Sequence, residues 1–398
     1  MAHFSRRRFL QFTGASALGA LTPVLTMEDV ARAAAATPLP LGTPILVVVT
    51  LYGGNDGLNT VVPYEDPVYS SSRPGLSLSG AQVLPLGQGL ALNASMTGMK
   101  ALWDQKQLAI VLGVGYPQPN HSHFSSMAIW QTASPVEQVS SGWIGRWLDG
   151  QTRDPMRAIC IGSVLTPLLA GEHRSASMLP YGGLVVPTGT LAAQTQLLAQ
   201  PSRFDSPLAA DAASAINDLY VVSSTVGPVL SAQPPNAKSI LAQQLDVVAN
   251  LIAANVPTRV WSATLGGFDT HANELGAQTA LLGAVSDAVS GFLSKVGATP
   301  RANDVVVMVY SEFGRRVAAN ASQGTDHGTA GPVFVAGHRV GGGFYGEQPS
   351  LSQLVNGDLA VTTDFRDVYA NLLEGVLGTD ASQVIGGWTT KLNLLAGG

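Results

Sequence analysis

The sequence predicts an α/β protein whose sheet is doubly wound, mostly parallel and sandwiched by helices, on three observations. Short β-branched, apolar runs recur along the chain, amphipathic helical patterns lie between them, and a polar cluster follows most runs. Near-continuous apolar runs are what a parallel sheet covered on both faces requires, and alternation of strand with helix is the signature of a wound sheet.

The expected strands, in chain order, are 45–51 (ILVVVTL), 108–114 (LAIVLGV), 158–161, 259–265 (RVWSATL), 304–310 (DVVVMVY) and 332–336. Helices are expected over 239–254, 274–296 and 364–377. In the second, Leu281, Leu282, Val285, Val289, Phe292 and Leu293 repeat at helical spacing and Gly297 supplies a stop. Trp143 and Trp147 are four residues apart, on one helical face, and read as core. The stretch 181–235, rich in Ala, Gln, Ser and Pro, reads as an insertion or cap. The remainder, 37–398, reads as one large domain.

Residues 1–36 read differently. Ser5-Arg6-Arg7-Arg8-Phe9-Leu10 is a paired-arginine motif, an apolar Gly/Ala-rich stretch runs from Phe12 to Leu25, and small residues follow at 33–36. Basic region, apolar region and small-residue cleavage site make a secretory signal, and the arginine pair selects the twin-arginine route. Cleavage is expected after Ala35 or Ala36. The apolar stretch is short of the roughly 20 residues a membrane span needs. The mature chain is therefore expected in the periplasm or outside the cell, and not embedded in the membrane.

After cleavage 17 Lys and Arg face 24 Asp and Glu. That acidic balance excludes nucleic acid as the expected partner, because phosphate binding needs clustered basic residues. Cys160 is the single cysteine. It rules out an internal disulfide and, set in an apolar run, reads as a core thiol.

The polar clusters carry the chemistry. Gly53-Gly54-Asn55-Asp56-Gly57 follows the first strand, His121-Ser122-His123-Phe124 the second and Phe268-Asp269-Thr270-His271 the fourth. Ser311-Glu312-Phe313-Gly314-Arg315 follows the fifth, with Thr325-Asp326-His327-Gly328 soon after. Ligand sites in open α/β sheets lie beyond the carboxyl ends of the strands, so these clusters are expected to converge. Asp269 with His271, and Asp326 beside His327, pair a carboxylate with an imidazole, which suits zinc, manganese or iron better than calcium. Asp56 adds a third carboxylate. Each pair taken singly is also consistent with a helix cap.

Taken with SHF at 122–124, GWIGRWLD at 142–149, GGGFYG at 341–346 and TTDFRDVY at 362–369, these motifs resemble the family called domain of unknown function 1501, in its order and over nearly all of the mature chain. That family is similar to the alkaline phosphatase-like superfamily of phosphatases, phosphodiesterases, sulfatases and mutases. The resemblance implies an alkaline phosphatase-like α/β fold and, in active members, two divalent metal ions, zinc or manganese, at the strand ends. It implies Asp56, Asp269, His271, Asp326 and His327 as metal ligands and Ser122 as nucleophile. Glu312 is implied as base or metal ligand, and Arg315 as the group that holds an anionic oxygen. The sequence departs from the scheme in two ways. Asp269 and His271 have one intervening residue where the hydrolases usually have three, and His338 is the candidate for a later ligand by order alone. No Cys/Ser-x-Pro-x-Arg element occurs, which argues against a common formylglycine sulfatase. The expected function is an exported metal-dependent hydrolase of a small phosphate or sulfate ester. The alternatives are a non-catalytic binding or assembly protein on the same fold, and a carbohydrate-active enzyme.

Overall fold

The computed structural model describes residues 38–396 apart from 138, 163, 181–186, 188, 201, 203 and 232–238. The signal read at 1–36 lies outside the described residues. These fall into two compact units, one of residues 39–182 with 233–396 and one that takes in 183–232.

The larger unit begins with β1 (Ile45–Leu51), followed by a small three-stranded sheet of β2 (Val61–Val62), β3 (Val83–Gly87) and β4 (Leu90–Asn93). The central sheet continues with β5 (Leu108–Gly115), β6 (Ala158–Ile161), β7 (Ser177–Leu179), β8 (Val260–Leu265) and β9 (Val305–Ser311). A two-stranded ribbon, β10 (Arg315–Ala319) with β11 (Thr325–His327), precedes β12 (Gly331–Ala336), β13 (Gly343–Tyr345) and β14 (Thr363–Asp364). The order across the central sheet is β13-β5-β12-β9-β1-β8-β6-β7, with β14 also on β5. β1 pairs in parallel with both β8 and β9, so it lies deep in the sheet and each of its residues is buried.

The six expected strands form within a residue of their predicted ends. β12 departs from the expected direction, running antiparallel to both β5 and β9. The sheet is therefore mixed and mostly parallel. An apolar run carries no direction, so a buried antiparallel strand reads like its parallel neighbours.

Side chains alternate between the faces of the sheet. Leu46, Val48, Val111, Val306 and Met308 share one core with Trp130, Trp143, Trp147 and Tyr369. The stacked rings of Trp143 and Tyr369 lie 4.6 Å apart, so the paired tryptophans are core. The other face carries the helices Thr97–Asp104, Ile240–Ala253 and Glu274–Gly297, which contact β5, β8 and β9. Ser239 caps the second of these, its hydroxyl accepting from Ala242 N–H. The expected helix at 364–377 is α-helical to Leu372 and π-helical from Leu373 to Leu377, ending at Gly378 with φ +70°. Cys160 is buried, and burial pushes its thiol up.

In the smaller unit the helices Gly189–Leu198 and Pro207–Ser231 pack together, with a hydrogen bond between the Thr195 and Tyr220 hydroxyls. Among the described residues no helix is long and apolar enough to cross a membrane.

Candidate metal centre

The helix that follows β5, the loop after β8 and the β10–β11 ribbon meet on one atom, Asp269 Oδ1. Arg315 Nη2 lies 2.7 Å from it, His271 Nε2 2.9 Å, His327 Nε2 3.2 Å and His123 Nε2 3.3 Å. His123, Asp269 and His327 offer ligand atoms that all fall within 4.8 Å of one another, the one such group of three among the described residues. His271 Nε2 lies 2.9 Å from His327 Nε2.

The opposite nitrogen of each imidazole is held from outside. His123 Nδ1 lies 2.8 Å from Glu312 Oε1. His327 Nδ1 lies 2.7 Å from the His121 carbonyl oxygen, and His271 Nδ1 is 3.5 Å from Asp326 Oδ1. With the proton on each Nδ1, where a carbonyl or carboxylate accepts it, each Nε2 turns a lone pair inward. Lone pairs of His271 and His327 then face the Asp269 carboxylate, where Arg315 Nη1, 3.4 Å from His271 Nε2, and a bound cation would together offset the negative charge. His123 Nε2 is buried and has no hydrogen-bond partner. Three neutral imidazole nitrogens and one carboxylate oxygen fit a borderline divalent ion such as zinc or manganese.

Electrostatics favour the same state. Burial alone would raise the Asp269 carboxyl, but the Arg315 guanidinium, through its hydrogen bond and its charge, holds it at about 2. Burial pushes the His327 imidazole below its usual range, which favours its neutral form. The centre stays open to water, since the Asp269 and His271 side chains are 49% and 44% exposed.

Close backbone approach makes this possible. A Cβ on Gly53, at φ +118°, would sit 2.4 Å from Asp269 N, and one on Gly54 2.2 Å from the Phe313 ring. That ring lies against the imidazoles of His123 and His327.

Several site residues have other work than the sequence implied. Asp56 is fully buried and faces away from the cluster chemistry, pairing with Arg73 through Nη1–Oδ2 at 2.5 Å and Nη2–Oδ1 at 3.0 Å. Burial would raise its carboxyl, but Arg73 holds it below the usual range. Arg315 is buried with its donors committed: to the carbonyls of Gly53, Gly54, Phe268 and Thr325, to Asp269, and from Nη1 toward His271 Nε2 at 3.4 Å. It clamps loops and has no N–H left to clasp an anion. Glu312 is buried behind His123, also accepting from Gly53 N–H at 2.9 Å and Ser311 Oγ at 3.0 Å. Asp326 braces His271 and accepts from Asn320 Nδ2 at 3.2 Å. Asp269, His271 and His327 sit in the cluster. Ser122 caps the helix His123–Thr132, its exposed hydroxyl accepting from Ser125 N–H at 3.5 Å. His338 follows the antiparallel β12, so it emerges at the opposite sheet edge, 3.4 Å from Gln107 just before β5.

The sequence left the His121-Ser122-His123 cluster open between a nucleophile and a metal patch and did not single out His123 as the ligand. The available signal was its place in the first turn of a helix after a strand.

Fold and site together define an α/β protein with a candidate metal centre at the carboxyl ends of its strands. The family model described as protein of unknown function (DUF1501) matches residues 198–391, just under half of the chain. No curated protein matches the sequence. Among solved structures, a protein in the alkaline phosphatase superfamily from Vibrio parahaemolyticus is 10% identical, with 91% of this chain and 76% of that chain covered and a TM-score of 0.43. The C-terminal periplasmic domain of EcEptC from Escherichia coli, in complex with Zn, is 10% identical over 76% of this chain and 77% of that one, with a TM-score of 0.36. The lipoteichoic acid synthase LtaP from Listeria monocytogenes is 8% identical over 87% and 74%, with a TM-score of 0.38.

Proposed function

We propose that the chain is an exported metal-dependent hydrolase of a small phosphate or sulfate ester, with one divalent ion held by His123, Asp269, His271 and His327. The observation that carries this is the convergence of three imidazole Nε2 atoms on Asp269 Oδ1, one of them buried without a partner. A divalent ion on three neutral imidazoles and one carboxylate carries about one net positive charge and polarises an ester oxygen as a Lewis acid.

This chain's residues do the rest. Glu312, Asp326 and the His121 carbonyl fix the imidazole orientations, and Arg315 fixes Asp269. Arg316, half-exposed, adds positive charge on the same ribbon. Ser122 has its hydroxyl on a helix cap, so the reading takes water as the nucleophile. Water oxygen bonds to phosphorus or sulfur, the bond to the ester oxygen breaks, and the alcohol leaves with a proton. A binding protein on the same fold is the second reading, favoured by the full commitment of Arg315 to the scaffold.

Elemental analysis of untagged protein, with turnover of p-nitrophenyl phosphate and sulfate, tests the proposal. Near-stoichiometric zinc or manganese, lost together with turnover in His327→Ala, is expected. Protein that folds without metal and gains no turnover on metal addition leaves the binding reading. Export by the twin-arginine route belongs to the proposal, and replacing Arg6 and Arg7 by Lys should leave the chain in the cytoplasm.

A further inference from the structure

Arg315 and Arg316 are neighbours on β10 with opposite surroundings. Side chains alternate along a strand, so Arg315 is buried in the scaffold while Arg316 stands on the other face, 45% exposed. The Arg316 backbone is pinned from beneath. Buried Arg73 donates from Nη2 to the Arg316 carbonyl at 2.7 Å and from Nε to the Val317 carbonyl at 2.9 Å. The Arg316 side chain is held at one point only. Its Nε lies 3.3 Å from Asp358 Oδ1, and Nη1 and Nη2 have no hydrogen-bond acceptor among the described residues.

The guanidinium lies between the supports of two candidate ligands. On one side is Asp326, which braces His271. The Asn320 hydrogen bond, then His271 and the charge of Arg316, hold the Asp326 carboxyl below its usual range. On the other side is Asp358, whose Oδ2 lies 2.8 Å from His121 Nε2, and the His121 carbonyl holds His327. An ion pair with a surface acid is the ordinary place for an exposed arginine. Asp358 is no surface acid, since its side chain is 3% exposed, and it engages one nitrogen of three.

We propose that Arg316 holds the anionic group of the ligand, the free Nη1–Nη2 end of its guanidinium donating to two oxygens of a tetrahedral oxyanion that also meets the ion. That the anion belongs to an ester rests on the hydrolase reading. A planar fork matches two oxygens at once, and a guanidinium is always charged and weakly hydrated, so it gives up water readily. The Asp358 contact and the pinned strand orient the fork before the anion arrives. Phosphate and sulfate share this geometry.

The test is calorimetric titration of inorganic phosphate, and separately of sulfate, into the zinc-loaded full chain, with no turnover required. Binding of at least one anion is expected, and the tighter of the two names the ester class. Arg316→Gln, at an exposed position, should weaken that anion by about tenfold or more at unchanged zinc content. Arg316→Lys keeps the charge, loses the fork and should fall between. A parent protein that binds neither anion, or Arg316→Gln protein that binds as the parent does, would overturn the assignment. Zinc lost from folded Arg316→Gln protein would overturn it too, because Arg316 would then be a brace acting through Asp326 and Asp358. The expected anion pattern in a protein without ester turnover removes the hydrolase reading alone.

Discussion

Arg315 Nη2 donates to Asp269 Oδ1 at 2.7 Å while Nε of the same guanidinium donates to the Gly54 carbonyl at 2.6 Å. One buried side chain thus ties the loop after β1 to the loop after β8, and through Thr325 to the β10–β11 ribbon. The centre is assembled from segments more than 200 residues apart, and this guanidinium is the group common to them.

Arg315→Lys should therefore act on stability and metal together. An ammonium has three donors on a flexible stem and cannot reproduce a planar fork that serves five oxygens. Buried carbonyls and the Asp269 carboxylate would lose donors, at a cost of about 3–5 kcal/mol. A marked fall in the urea midpoint with weaker zinc binding is expected. Unchanged stability would show that the clamp carries little energy.

Asp56 and Asp269 should separate cleanly under the same substitution. Asp56→Asn breaks the buried pair with Arg73 and should destabilise by about 3–5 kcal/mol while the folded fraction keeps its metal. Asp269→Asn removes the oxygen on which the imidazoles converge and should lose the metal. Outer partners come between these extremes, and Glu312→Gln or Asp326→Asn should weaken affinity by about 10–100-fold. Metal lost from folded Asp56→Asn protein would return Asp56 to the ligand set.

Much of this arrangement was legible in the sequence. The apolar runs located six central strands, and the rule that ligands gather beyond strand ends brought His271, Glu312, Arg315 and His327 to one place. What stayed hidden depends on partners distant in sequence. Asp56 reads as a ligand because nothing in GGNDGLN announces Arg73, whose guanidinium reaches it only once the chain has turned. Arg315 reads as an anion clasp because its five donors look free until the carbonyls they meet are placed. Ser122 and His123 are adjacent, and only the start of their helix decides which faces the centre. The direction of β12 was hidden for a related reason, and with it the side of the sheet on which His338 emerges.

Glu274 predicts a pH dependence of stability that is separate from the metal. It is fully buried near Asp56, accepts from Thr325 Oγ1 at 2.5 Å, and its Oε1 has no N–H or O–H donor. Burial, then the charge of Asp56, push its carboxyl up to about 9. A folded value above the unfolded one gives stability that is full below the ordinary carboxylate range. That stability is lost as pH rises through the folded value. The melting temperature should therefore decline between pH 5 and pH 9. Glu274→Gln, which mimics the protonated acid, should flatten the decline and be the more stable protein at pH 9. A parallel decline in both proteins would place the titrating group elsewhere.

On the hydrolase reading, Ser122 decides which nucleophile attacks. Its hydroxyl is exposed and weakly bonded to Ser125 N–H, and its neighbour His123 points at the ion site with its proton held by Glu312. An attacking serine needs a base or an ion within hydrogen-bond reach, and the partner this hydroxyl has is a backbone N–H, which can only donate. With water as nucleophile, Ser122→Ala loses only its helix cap, about 1 kcal/mol, and turnover of p-nitrophenyl phosphate should stay within about threefold of the parent. Serine attack would instead abolish turnover by orders of magnitude at unchanged metal content. It would also leave a covalent adduct on Ser122 that mass spectrometry of acid-quenched enzyme detects, so the two measurements must agree before either nucleophile is accepted.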